Sequence, residues 1–453
     1  MSVLLDALYL MLLVALSPWL AYKALTTGKY RRGLVAKFLG SASAIENRKS
    51  KIENPVVWFH GVSVGEIHLL RQVVAAFRRR HPDWECVVST TTDTGFDEAR
   101  KHFPDLPVFF WPFDVSWAVR RALQRVRPSL VVLAEGELWP NFLRAARAQG
   151  VPVAVINARM SPRSFGRYRR LGGLARRLLT KVDLFAAQTE EYAKHLRLLG
   201  APAERVHVTG SVKYDGTSAD RANPKTQELG RLLAVEPDDL VFIAGSTQEP
   251  EEEVALEIFR RLRSEFRHLR LILVPRQKER FDEVAALLQR SGEPFARRSR
   301  LDPVTPSPRH PVTLVDTIGE LGALWGLADV AFVGGSLDGK RGGQNMIEPA
   351  AYGAAVLFGP HVWNFRDAAA RLVAAGAAGQ VADAAALGAA VRRLLADPGE
   401  RSAMGTAARG FVKEQQGATE RTLALLDGLL ATPAPPPRSA SHTPRQSATA
   451  GRR

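Results

Sequence analysis

A single cysteine in 453 residues, Cys86, excludes an internal disulfide and fits a reducing compartment. It lies in the apolar run Glu85-Cys-Val-Val-Ser89, the setting of a buried structural thiol and not of a nucleophile. Metal-binding spacings are missing too. There is no C-x-x-C, no H-E-x-x-H and no D-x-D between strands, and the ten histidines are scattered. The expected chemistry therefore uses no metal and no cofactor. Zinc-finger spacing, RNP-type aromatic motifs and long basic helices are also lacking, which sets nucleic acid aside as a partner. Acid is in short supply: 46 Asp and Glu stand against 62 Lys and Arg, a formal charge of +16. An excess of that size suits an anionic membrane surface or phosphorylated substrates.

What is present is a repeating alternation. Apolar runs at 56–60, 86–90, 108–111, 130–134, 153–157, 184–188 and 206–209 are separated by helical patterns. After a polar stretch at 216–236 the pattern resumes with runs at 240–244, 271–274, 312–315, 330–333 and 356–358. Strands alternating with helices argue for parallel α/β units, and the length calls for two of them. The expected fold is α/β, two doubly wound Rossmann-like domains facing a cleft, one over 40–217 and one over 218–431. A helix spanning 410–430 would close the second domain. Residues 432–453 are Pro, Ser, Thr, Ala and Arg, a basic tail with too little to bury to fold.

Residues 3–25 are almost wholly apolar, interrupted by Asp6, Ser17 and Lys23, so 1–25 is expected to be a membrane-associated helix. Lys23, Lys29, Arg31, Arg32 and Lys37 at its end place the following chain on the cytoplasmic face of the inner membrane. Three arrangements remain open: a spanning helix, one lying in the interface, and one packed on the first domain. A second basic run, from Arg159 through Arg163, Arg167, Arg169, Arg170, Arg176 and Arg177 to Lys181, contains no acid. It reads either as a solvated helix face or, with Phe165, Tyr168, Leu171 and Leu174 interleaved, as a lipid-docking face.

The candidate chemistry sits at strand ends. Trp58-Phe-His-Gly-Val-Ser-Val-Gly-Glu66 runs from a strand through a turn to a glutamate at a helix start. Kept dry, Glu66 can act as a general base. Ser63-Val-Gly-Glu66 equally fits the S-x-x-E capping box. Glu135 and Glu137 flank Gly136 in an acidic loop, suited to orienting hydroxyls or to stabilising a cationic transition state, or else to charging a helix N-terminus. Lys213 offers a point charge for a leaving phosphate, or pairs with Asp215. Pro275-Arg276, Ile318-Gly319-Glu320 and Asn345-Met346-Ile347-Glu348 follow strands of the second half. The turn Gly334-Gly335-Ser336 has room for backbone to approach a phosphate.

These segments, with Asn157-Ala-Arg-Met-Ser161, Thr209-Gly-Ser-Val-Lys-Tyr-Asp215 and Gly342-Gly-Gln-Asn-Met-Ile-Glu-Pro349, occur in one order along the chain. In that order they resemble the 3-deoxy-D-manno-octulosonate (Kdo) transferases, which attach Kdo to the lipid A precursor of Gram-negative envelopes. The resemblance implies a GT-B glycosyltransferase that moves Kdo from CMP-Kdo to the lipid A precursor with inversion and release of CMP. It implies Glu66 as proton acceptor, Glu135 and Lys213 as transition-state stabilisers, and Pro275, Arg276, Ile318–Glu320 and Asn345–Glu348 as the CMP pocket. The sequence departs from the family at Gly136, where threonine is usual, and at Gln248, Gln277 and Gln344, where histidine is common. Two rivals stand beside this reading: a GT-B enzyme using another nucleotide sugar, and a non-catalytic basic scaffold on anionic membranes.

Overall fold

The computed structural model describes residues 2–27, 32–40, 54–217, 220–302 and 309–431. The chain forms two compact units, changing from one to the other after Asp215 and returning after Gln416.

The first unit is a seven-stranded parallel sheet in the order β3-β2-β1-β4-β5-β6-β7. Its strands are β1 (Val56–His60), β2 (Glu85–Thr90), β3 (Val108–Phe110), β4 (Leu130–Ala134), β5 (Val153–Ala158), β6 (Leu184–Ala187) and β7 (Val206–Val208). Every residue of β1, β4 and β5 is buried, as expected for strands covered by helices on both faces. The helix Val64–Arg80 shows the pattern that covers them: Ile67, Leu70, Val73, Val74 and Phe77 recur at helical spacing and are buried against the sheet. Arg78, Arg79 and Arg80 close it, a charge sign that complements the helix dipole. On the opposite face Trp58 packs edge-on to Phe142 and against Trp111 and Phe109, with its Nε1 donating to Ser89 Oγ at 2.7 Å.

The second unit repeats the plan with order β10-β11-β9-β8-β12-β13-β14, again all parallel. Its strands are β8 (Leu240–Thr247), β9 (Leu269–Pro275), β10 (Phe295–Arg297), β11 (Val312–Leu314), β12 (Val330–Val333), β13 (Ala355–Phe358) and β14 (Ala378–Gln380). β10 and β14 are additions to the expected set. Both are three-residue edge strands with a single buried apolar side chain each, Ala296 and Ala378, so no apolar run announces them.

Two expected boundaries need correction. The C-terminal helix is two helices, Pro398–Gln415 and Ala418–Ala431, broken at Gly417, which has φ +88°. The last of these belongs to the first unit and not to a second domain ending at 431. Leu423 and Leu426 enter the core beneath Val64–Arg80, and Asp215 accepts from the backbone N–H groups of Gly417, Ala418 and Thr419 at its start. The expected tail at 432–453 lies outside the described residues.

The N-terminal helix runs over Ser2–Thr27. Its first turns dock on the first unit: Asp6 is buried and accepts from Ser116 N, Ser116 Oγ and Asn141 Nδ2, while Tyr9 donates to Asp114 at 3.0 Å. Further along, apolar residues are exposed all round, with Met11 at 65%, Val14 at 70% and Trp19 at 51%. Among the described residues no helix is long and apolar enough to cross a membrane. Two of the cations expected to face lipid are engaged elsewhere. Lys37 is buried over the Phe110 ring, and Arg32 pairs with Asp97 at 2.7 Å. Lys29 and Arg31 lie outside the described residues.

Candidate active site

In the first sheet the strand order reverses between β1 and β4, and open α/β sheets bind ligands beyond the carboxyl ends of such neighbouring strands. Glu66 follows β1 and Glu135 follows β4, so the sheet itself brings the two segments together. The β1 turn is held from several sides. Gly61 N donates to Ser89 O, and the Val62 carbonyl accepts from the Thr90 and Thr92 hydroxyls at 3.2 and 2.9 Å. His60 is fully buried, stacked on Trp111, with Nδ1 on Ser89 at 3.0 Å. Burial pushes its pKa down to about 3, so it is a neutral prop of the turn and takes no part as a base at neutral pH.

The capping reading and the base reading of Glu66 are both realised in part. Ser63 is the N-cap and accepts from Glu66 N, while its hydroxyl donates to Glu66 Oε1 at 2.9 Å. The other oxygen, Oε2, accepts from Val62 N at 2.8 Å, one residue before the N-cap that a capping box uses. Despite these bonds the Glu66 pKa is raised. Burial is the largest cause, and the Glu135 and Glu137 charges add to it. A carboxylate at a helix start, ordinarily more acidic, is thereby turned into a better proton acceptor. The acid limb of kcat/KM is accordingly expected above the range of an ordinary glutamate. Glu137→Gln, which removes one of the charges raising it, should move that limb to lower pH. A limb that stays or moves up in the pH profile contradicts this electrostatic assignment.

Glu135 and Lys213 form an ion pair, Nζ to Oε1 at 2.9 Å. Asp215, the alternative partner for Lys213, is instead committed to the start of the helix Ala418–Ala431. Glu135 adopts φ +61°, a left-handed conformation costing about 1–3 kcal/mol, and its backbone is held by Ile156 O and Arg159 N. Gly136, with φ +139°, continues the turn in a region a side-chain-bearing residue rarely enters. Asn157 ties the pair together: Nδ2 donates to Glu135 Oε1 at 3.3 Å and Oδ1 accepts from Val212 N at 3.1 Å. It is buried, at φ +51°, and was given no role from sequence; a polar residue ending an apolar strand was the available signal. Glu137 is also raised by burial and stands near Tyr168.

In the second unit the expected segments again lie at strand ends. Arg276 follows β9 and is exposed, and its charge acts on Glu348, whose pKa burial raises. Asn345 bridges this corner, donating to Glu348 at 2.9 Å and accepting from Ile347 N. Met346 and Ile347 have side chains in the core, so they offer only backbone to a ligand. Glu320 is held by Arg298 at 2.8 Å and by the Thr317 hydroxyl, next to exposed Ile318 and to Gly319 at φ +91°. Pro275 is buried at the end of β9.

The turn after β12 is not free for phosphate. Glu251 is buried, and its carboxylate accepts from the N–H groups of Gly335, Ser336, Leu337 and Gln248. A Cβ on Gly334 would lie 2.6 Å from Glu251 Oε2, so glycine there makes room for this carboxylate. The sequence reading missed Glu251, which in Glu251-Glu252-Glu253 resembles ordinary charge at a helix start.

Residues 32–216 match the family model described as 3-deoxy-D-manno-octulosonic-acid transferase (kdotransferase). A 3-deoxy-D-manno-octulosonic acid transferase of Bordetella pertussis is 39% identical over 384 residues, covering 83% of this chain and 87% of that one. The enzyme of that name from Chlamydophila psittaci is 33% identical over 408 residues, covering 89% and 91%. The chain belongs to the 3-deoxy-D-manno-octulosonic acid transferase family. It is a Kdo-transferring glycosyltransferase of lipopolysaccharide biosynthesis. A glycosyltransferase from Rickettsia africae, 12% identical, covers 84% of this chain and all of its own with a TM-score of 0.54, a likeness of GT-B fold.

Within this transferase Gln248, Gln277 and Gln344 occupy different settings. Gln248 is buried beside Glu251, Gln277 is exposed after Arg276, and Gln344 reaches toward Gly335. A protonatable ring at Gln248 would sit next to the buried Glu251 carboxylate; glutamine leaves that carboxylate to the four backbone donors.

Proposed function

We propose that this transferase moves Kdo from CMP-Kdo to the lipid A precursor in a single inverting displacement. The carrying observation is Glu66, half-buried in the first turn of the helix that follows β1, with its pKa raised and the Glu135–Lys213 pair in the loops beyond the same sheet. Glu66 takes the proton of the acceptor hydroxyl as that oxygen bonds to the anomeric carbon of Kdo. The bond from that carbon to the phosphate oxygen breaks, and CMP leaves with the electron pair. Glu135 and Lys213 stabilise the charges that develop on sugar and phosphate. Pro275, Arg276, Ile318–Glu320 and Asn345–Glu348 hold CMP, with Glu348 facing ribose hydroxyls and Arg276 supplying positive charge. Competition between nucleotides separates this reading from a GT-B enzyme of other donor type. CMP should inhibit transfer far more strongly than UDP, and equal or stronger inhibition by UDP overturns the donor assignment.

The N-terminal helix attaches the enzyme to an anionic inner-membrane surface, inserting in part. Support comes from its polar docking through Asp6 and Tyr9, followed by apolar residues exposed on all sides, which gain by leaving water. Exposed Leu171 and Leu174 between the arginines of the helices Pro162–Arg170 and Gly173–Leu179 favour lipid docking over a merely solvated face. Replacing Met11, Val14 and Trp19 together by glutamate should lower binding to anionic vesicles at least tenfold in a flotation assay. Undiminished binding of the folded variant removes the helix from the membrane contact.

A further inference from the structure

Three side chains that the transfer reaction does not use converge on two adjacent helices of the first unit. His68 stands on the helix Val64–Arg80, and Glu98 and His102 stand on the helix Asp93–His102. The i, i+4 spacing puts Glu98 and His102 on one face. Both imidazoles turn Nε2 toward the same oxygen, Glu98 Oε1, His102 at 2.7 Å and His68 at 3.4 Å. One ligand atom from each residue lies within 4.8 Å of the other two. Tetrahedral zinc with bonds of about 2.0–2.1 Å needs ligand atoms about 3.3 Å apart, so small rotations of these side chains suffice. We propose that His68, Glu98 and His102 form a binding site for a divalent transition-metal cation of the zinc class, bridging the two helices.

Two imidazoles and one carboxylate are a donor set that suits late first-row divalent ions over magnesium or calcium. His68 is half exposed while Glu98 and His102 are largely covered, which leaves one side open to complete the coordination with water. The His68 pKa is lowered, by burial first and then, against the opposing Glu98 charge, by His102, Arg71 and Lys101.

The location gives the site a consequence. The two helices start at Ser63 and Thr92, on either side of the Val62 carbonyl that the Thr92 hydroxyl holds. An ion on the three side chains clasps these helices further along, beneath the turn that presents Glu66. Binding to the folded state alone raises its stability by mass action.

The test is zinc uptake by the full chain, stripped with chelator and free of any histidine tag, measured against a chromophoric chelator. Wild type is expected to bind one equivalent and to melt several degrees higher with zinc. Affinity should fall at least tenfold in His68→Ala and in His102→Ala, and remain in His268→Ala, an exposed histidine of the second unit. Melting curves without metal report folding of each variant. Should an alanine variant fail to fold, Glu98→Gln keeps a hydrogen-bonding oxygen and must still lose uptake. No uptake by wild type at hundredfold zinc excess, or uptake indifferent to these substitutions, shows the cluster to be a hydrogen-bonded triad and overturns the proposal.

Discussion

Glu66→Gln is expected to lower kcat by about 10²–10⁴-fold, the usual worth of a positioned general base. Glutamine keeps an oxygen for Val62 N or the Ser63 hydroxyl, so the turn and the Ser63 cap remain. The stability effect has the opposite sign. A carboxyl whose pKa is raised on folding contributes stability that is complete below its unfolded value of about 4.5 and is lost as pH rises through the folded value. Above the folded value the ionised, half-buried Glu66 therefore burdens the fold, and Glu66→Gln should leave thermal stability there unchanged or raised. A variant that is inactive and strongly destabilised would mean that the capping role accounts for the loss. One that is stable and fully active would remove Glu66 from the chemistry.

The second large effect concerns stability. Glu251→Ala withdraws one carboxylate from four backbone donors, those of Gly335, Ser336, Leu337 and Gln248. An unsatisfied buried donor costs about 1–3 kcal/mol, so the substitution should destabilise the second unit by at least ~3 kcal/mol. Burial raises the Glu251 pKa and the four N–H groups oppose that rise, which is the signature of a carboxylate held by a preformed nest. Denaturant unfolding of the full chain, followed by far-UV circular dichroism, measures the effect. A loss below ~1 kcal/mol would show that water satisfies these donors and that the carboxylate is dispensable.

The parts of this protein that are legible in its sequence are those where one local rule acts alone. Strands buried on both faces leave unbroken apolar runs, as in β1 and β4, and their positions follow directly. β10 and β14 do not, because an edge strand of three residues needs no such run. The return of the helix Ala418–Ala431 to the first unit depends on Asp215 reaching its N-terminus, a partnership between distant segments. The candidate site divides in the same way. Glu66, Glu135 and Lys213 are legible as motif members, but their environment is not. The burial that raises Glu66, and the ion pair that gives Lys213 to Glu135 and not to Asp215, arise only when the segments that follow β1, β4 and β7 meet. The glycine turn at Gly334 misleads for a complementary reason: its amides suit any anion, and Glu251 is already there.

Product formation by the full chain from CMP-Kdo, generated in situ, and lipid A precursor in anionic vesicles tests the proposed reaction most directly. Wild type is expected to give Kdo-lipid and CMP in equal amounts, with almost none from folded Glu66→Gln. No Kdo-lipid from folded wild type, or equal amounts from both proteins, contradicts the proposed donor–acceptor pair or the proposed base respectively.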